Sequence, residues 1–537
     1  MDDEKIKVLL LVVRTKISYR LFEEIGVCCL AAYLRQNGYE VMLMEENEDS
    51  IDYERIKSFD PGLIGMPVYI STEHAVKRVS SQMKERMPNV LLCLGGCSPT
   101  YQGARILKEM PDVHFIIRGE GEQVLLELAN RLSSGTSMDG LKGLIYRWED
   151  TIVDNGEQEL IKDLDTLPWP SRDLLVEKNY NVALISTSRG CTGKCSFCVT
   201  KQFWKKWRGR NTKDVVNEME YITKEYNIKS FYFIDCSFEN PGTSYERVKS
   251  IAEEIINKNL NITYIAFIRP DFHRKADTAL MELLRKSGMI GALIGAESAN
   301  QHSLNIYNKH TTPEDNEKVI TLFREYGINV EIGFIMFNPY STFEGIRQDL
   351  NFLANYGFAY IISNISSQYA MAKGCALYEK IKADGLLADE DDVYGYRFVD
   401  ERIEKLAGYA RSFTDHISLE TNIAFLRIHK SIINLAYWKK IFAGDKSIYN
   451  AIVEAEVYYN EVRDELNSRV YKWFGKLIEL AENNWDEKNA DAISEEILCT
   501  NFITGVYRNM EHKKNILHVK LSRRGYDIRK IPYVENT

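Results

Sequence analysis

The stretch Ser188–Thr200, SRGCTGKCSFCVT, places Cys191, Cys195 and Cys198 within eight residues. A disulfide consumes two cysteines, and a structural zinc site wants four ligands. Three thiolates spaced Cys-x-x-x-Cys-x-x-Cys can hold three irons of a cubane 4Fe–4S cluster and leave the fourth iron open. An open iron can chelate a substrate or cofactor, which a four-cysteine site cannot do. Gly190 and Gly193 let the backbone wrap closely around a ligand. Structural zinc and unliganded buried thiols are the alternatives. Zinc would lack a near fourth ligand, because no His or Cys lies within thirty residues downstream, although Cys236 could reach in from a distance.

The loop directly follows a strand candidate, Val182–Ser186, that opens a run of βα units. Ser230–Asp235, Ile262–Ile268, Ala292–Glu297, Val330–Met336 and Tyr360–Ile365 continue it, each followed by a helical pattern such as TKDVVNEMEYITKEY. Six such units predict a partial parallel barrel whose site lies in the loops after the strands. Upstream, strand candidates Ile6–Val13, Tyr39–Glu45, Leu63–Tyr69, Val90–Leu94 and Val113–Arg118 alternate with helices. EEIGVCCLAAYLRQNG ends on a C-cap glycine, Gly38, and TEHAVKRVSSQMKERMP is stopped by Pro88. This pattern predicts a doubly wound sheet that binds ligands beyond the strands' carboxyl ends. GLIYRWEDTIVDNG reads as a hairpin and DLDTLPWPSRDLL as a rigid linker. The fold class is therefore α/β. A Rossmann-like doubly wound domain spans 1–140, hairpin and linker 141–180, a partial (β/α)6 barrel 181–400 and a mostly α-helical region 401–537.

A chain of 537 residues exceeds one ordinary core. With 45% apolar and 27% charged residues it has the profile of a soluble globular protein. The net charge of −9 shows no basic field of the kind a nucleic-acid binder carries. The acidic start MDDEKIK and the short run VLLLVV match neither a signal peptide nor a membrane span. These features imply a cytoplasmic protein with reduced thiols and no membrane partner, in which ten cysteines serve metal or catalytic chemistry.

The cysteine spacing, with the aromatic Phe197 before its last cysteine, resembles the signature of the radical S-adenosylmethionine (SAM) superfamily. The resemblance implies that the fourth iron binds the amino and carboxylate groups of SAM, and that one electron cleaves SAM to methionine and a 5′-deoxyadenosyl radical. It also implies a reductant such as flavodoxin or ferredoxin. FYFIDCSFEN, IAFIRPD and LIGAESANQHSLNIYNK resemble the family's second, third and fourth strand segments. They offer Asp235, Arg269, Glu297 and Ser298 to the cofactor: carboxylates suit the α-ammonium, and Arg269 the α-carboxylate. EIGFIMFNPYSTFEG resembles the fifth-strand segment but carries Phe337-Asn338 for the usual Gly-x and Ser341 for the usual Glu.

GVCCLAAYLRQNGYEV, IGMPVYISTEHA, LCLGGCSPT and IIRGEGEQVLLELA resemble the cobalamin-binding domain that precedes many radical SAM domains. The resemblance, running through the linker, covers roughly residues 1–400. It implies cofactor contacts at Tyr69, Ser71, Thr72, Gly95, Gly96, Gly119 and Glu120. The Asp-x-His-x-x-Gly of the better-known cobalamin fold is missing after the first strand, so cobalamin is expected without a His lower ligand. The first-strand loop offers only groups such as Arg14, Thr15, Ser18 or Tyr19. Beyond the third strand, His74 is a good nitrogen donor but falls in the helical pattern.

Other signals read as packing. Cys28, Cys29 and Cys93 fit core positions, and the carboxyl-terminal aromatics Tyr437, Trp438, Tyr458, Tyr459, Trp473 and Phe474 recur partly at helical spacing. KQFWKKWRGR could steer an anion or be a solvated face.

The expected activity is a cobalamin-dependent radical SAM enzyme that methylates an unactivated carbon of a natural-product or peptide substrate. The runner-up uses the same cofactors for ring closure, ring contraction or oxidation. A non-catalytic metal-binding or electron-transfer protein would want a fourth cysteine at ferredoxin spacing, and none is present. A methylthiotransferase would want a second cluster's cysteines in the amino-terminal domain, and Cys28, Cys29, Cys93 and Cys97 are spaced unlike such a set.

Overall fold

The computed structural model describes residues 5–15, 22–239, 241, 244–390, 392–416, 419–526 and 531. The chain divides into two compact units, residues 1–190 with 202–228, and residues 191–201 with 229–537.

The first unit is built on β1 (Val8–Arg14), whose seven residues are all buried. Val8, Leu10 and Val12 face one side and Leu9, Leu11 and Val13 the other, so the strand feeds two cores. Helices Ile25–Gln36 and Glu122–Ser134 cover one face, and Glu73–Arg86 and Cys97–Glu109 the other. Such double burial is why the strand reads as an unbroken apolar run. The remaining strands are β2 (Val41–Asn47), β3 (Leu63–Pro67), β4 (Leu91–Gly95), β5 (Phe115–Ile117), β6 (Leu144–Trp148) and β7 (Thr151–Asp154). Their order is β2-β1-β3-β4-β5-β6-β7, parallel through β5. The predicted hairpin is β6–β7, and it extends this sheet by pairing antiparallel with β5.

The linker is held by charge. Arg172, almost fully buried, bonds Glu23 and reaches Glu218 at 2.6 Å, while Arg210 meets the other oxygen of Glu218 at 2.6 Å. β8 (Ala183–Ile185), β9 (Ser188–Arg189) and β10 (Arg208–Gly209) complete this unit's strands, and β9 and β10 pair antiparallel.

The second unit carries β11 (Ser230–Phe233), β12 (Thr263–Ile268), β13 (Met289–Glu297) and β14 (Asn329–Phe334) in parallel order β14-β13-β12-β11. Side-chain caps start the helices that follow: Asp277 bonds Leu280 N, Thr312 bonds Asp315 N and Thr342 bonds Gly345 N. The predicted sixth strand, Tyr360–Ile365, is instead a helix, Ile362–Ser366. Ile362 and Ile365 fall on one face at helical spacing and are both buried. The strand-like contact moves to a single parallel bridge between Phe337 and Gln368. Beyond residue 400 the described residues are mainly helical, with Lys446–Asn483 as their longest element and the expected core of Trp473 and Phe474. Among the described residues no helix is long and apolar enough to cross a membrane.

Candidate functional site

The cysteine loop starts at Gly190, whose φ is +91°. A Cβ there would stand 2.5 Å from the Lys206 carbonyl oxygen, so the turn admits only glycine. Beyond it, the loop is clamped by the segment after β13. Ser196 donates its N–H to Tyr307 O at 2.8 Å and its hydroxyl to Ile306 O at 2.6 Å. Asn308 Nδ2 donates to Lys194 O at 2.8 Å, and Leu377 N donates to Ser196 O at 2.9 Å. Phe197 sets its ring edge-on to Tyr307, with centroids 5.4 Å apart.

Charge gathers around the thiols. Arg269, at the end of β12, points Nη1 at Cys195 Sγ, 3.9 Å away. Its Nε bonds Asp271 at 3.1 Å and its Nη2 bonds Lys309 O at 3.1 Å. Gly193 N donates to Cys191 Sγ at 3.2 Å, and a Cβ on Gly193 would come within 2.9 Å of Arg269 Nη1. Burial lifts the Cys198 thiol, and Cys195 and Cys191 add to the shift. Cys236, just past β11, is solvent-exposed. Among the described residues no three His, Cys, Asp or Glu side chains converge on one metal ion. A cubane spreads its cysteines over separate irons and needs no such convergence. Soft thiol donors, a tight glycine turn and an adjacent guanidinium that favours thiolate suit an iron–sulfur cluster.

Glu297, the last residue of β13, has a left-handed backbone at φ +65°. Its Oε1 lies 3.0 Å from Lys309 Nζ. Burial works against the Lys309 charge, yet Glu297 and Cys195 hold its pKa above the ordinary value. Ser298, expected beside it as a cofactor contact, is fully buried and gives its hydroxyl to Asp349. Asp235 lies just past β11 and is 1% exposed. Sequence reasoning quoted the Asn308-Lys309 pair without a role and missed Tyr307 and Asp349. Tyr307 and Asn308 act on backbone carbonyls and amides, which leave no side-chain pattern to read.

In the first unit, the candidate cobalamin residues gather at the carboxyl ends of β3, β4 and β5. Gly96 has φ +99°, and a Cβ there would stand 3.2 Å from Val68 O. At Gly95 the nearest atom to an added Cβ is Ile117 O at 3.9 Å, which leaves room for a ligand. Ser71 is exposed, whereas Thr72 is buried and bonds Tyr69 N at 3.1 Å, and the Tyr69 hydroxyl bonds Glu24. Gly119, at φ +79°, donates its N–H to Thr100 Oγ1 at 3.0 Å. The Glu120 carboxylate is taken up by Arg189 at 2.6 Å, Arg208 at 2.8 Å and Ile161 N at 2.9 Å. The basic stretch after the cysteine loop is therefore neither a steering patch nor a solvated face throughout, since Arg208 and Arg210 belong to buried ion pairs. Arg14 pairs with Glu45 at 2.9 Å and Glu24 at 3.6 Å, His74 is exposed on helix Glu73–Arg86, and Ser18 and Tyr19 lie outside the described residues.

The Radical SAM superfamily model matches residues 185–353, and the B12 binding domain model matches residues 11–129. The chain is 31% identical over 340 residues to an anaerobic magnesium-protoporphyrin IX monomethyl ester cyclase of Rubrivivax gelatinosus, spanning 60% of this chain and 60% of that protein. It is 28% identical over 374 residues to an uncharacterized methyltransferase of Pyrococcus horikoshii, spanning 68% of this chain and 79% of that protein. The solved structure of the cobalamin-dependent S-adenosylmethionine radical enzyme OxsB, with aqua-cobalamin bound, shares its fold at a TM-score of 0.70 and 18% identity, covering 97% of this chain and 80% of that one. The two matched domains imply a 4Fe–4S cluster, SAM and cobalamin. Residues 185–353 carry a radical SAM domain, and residues 11–129 carry a B12-binding domain ahead of it.

Proposed function

We propose that the protein is a cobalamin-dependent radical SAM methyltransferase acting on an unactivated carbon of a small-molecule or peptide substrate. The observation that carries this reading is the three-thiol loop, clamped by residues 306–308 and faced by Arg269 at 3.9 Å from Cys195 Sγ. When bound, the cluster, SAM and cobalamin would supply a 5′-deoxyadenosyl radical and a methyl group. The residues have separable tasks. Cys191, Cys195 and Cys198 would each hold one iron and leave the fourth for SAM. Arg269, tied back to Asp271 and Lys309 O, presents its remaining nitrogen toward Cys195 Sγ, where it would meet a carboxylate of the cofactor. Glu297 offers its carboxylate from the end of β13, with Asp235 two residues past the end of β11. In the first unit, Gly95 and Gly96 keep the β4 end free of side chains for cobalamin. Cobalamin would be held there without a ligand from Arg14, which is committed to Glu24 and Glu45.

A second reading keeps these cofactors without methyl transfer, and the 31% identity to the cyclase favours it. An anaerobic assay with candidate substrates from the gene's neighbourhood separates the two. S-adenosylhomocysteine formed in equal amount with 5′-deoxyadenosine, and a product heavier by one methylene, supports methylation. 5′-Deoxyadenosine alone, with a product of lower or unchanged mass, supports the second reading.

A further inference from the structure

The turn Glu297–Asn300 turns away from β13 through a left-handed glutamate, a conformation that a non-glycine residue holds only when its surroundings impose it. Ile335 N donates to Glu297 O at 2.7 Å, and Asn316 Nδ2 donates to Ser298 O at 2.8 Å. These fix the carbonyls. Three donors of the turn go to one group. Ser298 Oγ lies 2.9 Å from Asp349 Oδ1 and 3.1 Å from Oδ2, Ala299 N donates to Oδ1, and Asn300 Nδ2 donates to Oδ2 at 2.8 Å. Asp349 sits on helix Phe343–Asn355 and is 1% exposed. Among the described residues it takes part in no ion pair.

A buried carboxylate without a cation is costly unless donors surround it. An ionised carboxylate only accepts, so it can satisfy hydroxyl, backbone and amide donors at once, which an asparagine cannot. Burial pushes the Asp349 carboxyl up to about 7, against the hydrogen bonds from Ala299, Ser298 and Asn300 that favour its charged form. A packing role alone would be served by an apolar residue.

We propose that Asp349 is a positioning residue for the cofactor: by holding Ser298, Ala299 and Asn300 it sets the backbone turn that aims Glu297 into the site. Lys309 then fixes the side chain from the other end, 3.0 Å from Glu297 Oε1. The inference rests on the reading of Glu297 as a SAM contact.

The test uses the reconstituted full chain. SAM is titrated against the electron paramagnetic resonance signal of the reduced cluster, and KM and kcat are measured for uncoupled 5′-deoxyadenosine formation. Asp349→Asn, which turns an acceptor into a donor facing donors, should raise the SAM Kd and KM about tenfold or more. Iron content and the cluster signal without SAM should stay as in the wild type, and kcat should change much less than KM. Ser298→Ala removes one donor and keeps the carboxylate, so it should weaken SAM binding less, by about threefold. Glu297→Gln should also weaken binding. If Asp349→Asn binds SAM as the wild type does while Glu297→Gln does not, the positioning role is wrong. If Glu297→Gln is without effect, the reading of Glu297 fails and this inference with it. Should Asp349→Asn not fold, wild-type affinity in Ser298→Ala overturns the proposal and a loss of affinity with unchanged cluster signal supports it.

Discussion

Lys309 and Glu297 form an ion pair 3.0 Å long with 6% and 15% of their side chains exposed. The pair joins the end of β13 to the segment that clamps the cysteine loop, because Lys309 also gives its carbonyl to Arg269. Removing one partner leaves the other charge buried. Lys309→Met should therefore destabilise the protein by about 3–5 kcal/mol, and Lys309→Met with Glu297→Gln should recover part of that loss. Urea unfolding of the four-member cycle measures both. Equal stability of Lys309→Met and wild type would show the pair to be solvated.

Gly190 governs entry into the loop. At φ +91°, alanine costs about 1–3 kcal/mol in backbone conformation alone. The atoms nearest the added Cβ are backbone, Lys206 O at 2.5 Å and Trp207 Cα at 3.1 Å, and cannot swing aside. Gly190→Ala should lower the iron retained after reconstitution while the fold persists by circular dichroism. Full iron content in the variant would mean that the loop forms independently of this turn.

The parts of the fold that depend on burial were legible, and those that depend on distant partners were not. Val8–Arg14 announces a strand buried on both faces by its composition, and Gly38 and Pro88 close helices where expected, at Gln36 and Arg86. The hairpin Leu144–Asp154 was legible, but its pairing with β5 was not, since a ladder between backbones carries no side-chain signal. Tyr360–Ile365 reads as a strand from its isoleucines, and a short apolar run fits a buried helix equally well. At the site, the cysteine spacing is local and readable. Glu120 and Ser298 sit in recognisable motifs, yet their side chains are spent on Arg189 with Arg208 and on Asp349, the last 51 residues further along the chain.

Cobalamin should bind the first unit at about one per chain when hydroxocobalamin is supplied. Gly96→Val should lose it, because φ is +99° and the Cβ would meet Val68 O at 3.2 Å. The Co(II) form should show no axial-nitrogen superhyperfine splitting in electron paramagnetic resonance, and His74→Ala should leave the spectrum unchanged. Nitrogen splitting that vanishes in His74→Ala would identify His74 as the lower ligand.

His114 makes the first unit acid-sensitive. Burial, with Lys84 and Arg147 adding, lowers its imidazole to about 4, and its Nδ1 accepts Leu92 N at 3.2 Å. Unfolded histidine titrates near about 6.5. Between these values the unfolded chain binds a proton that the folded chain refuses, so this contribution is full above about pH 6.5 and is lost as pH falls toward 4. Thermal midpoints measured from pH 7.5 to 4.5 should fall less steeply in His114→Gln. Parallel profiles would place the acid sensitivity elsewhere.

The central claim is that three thiolates hold a cluster open to SAM. Anaerobic reconstitution, reduction with dithionite and quantification of 5′-deoxyadenosine test it most directly. The wild type should carry about four irons and form 5′-deoxyadenosine, and Cys191→Ala, Cys195→Ala and Cys198→Ala should each form none. Full occupancy by zinc, with no 5′-deoxyadenosine from the wild type, would contradict it.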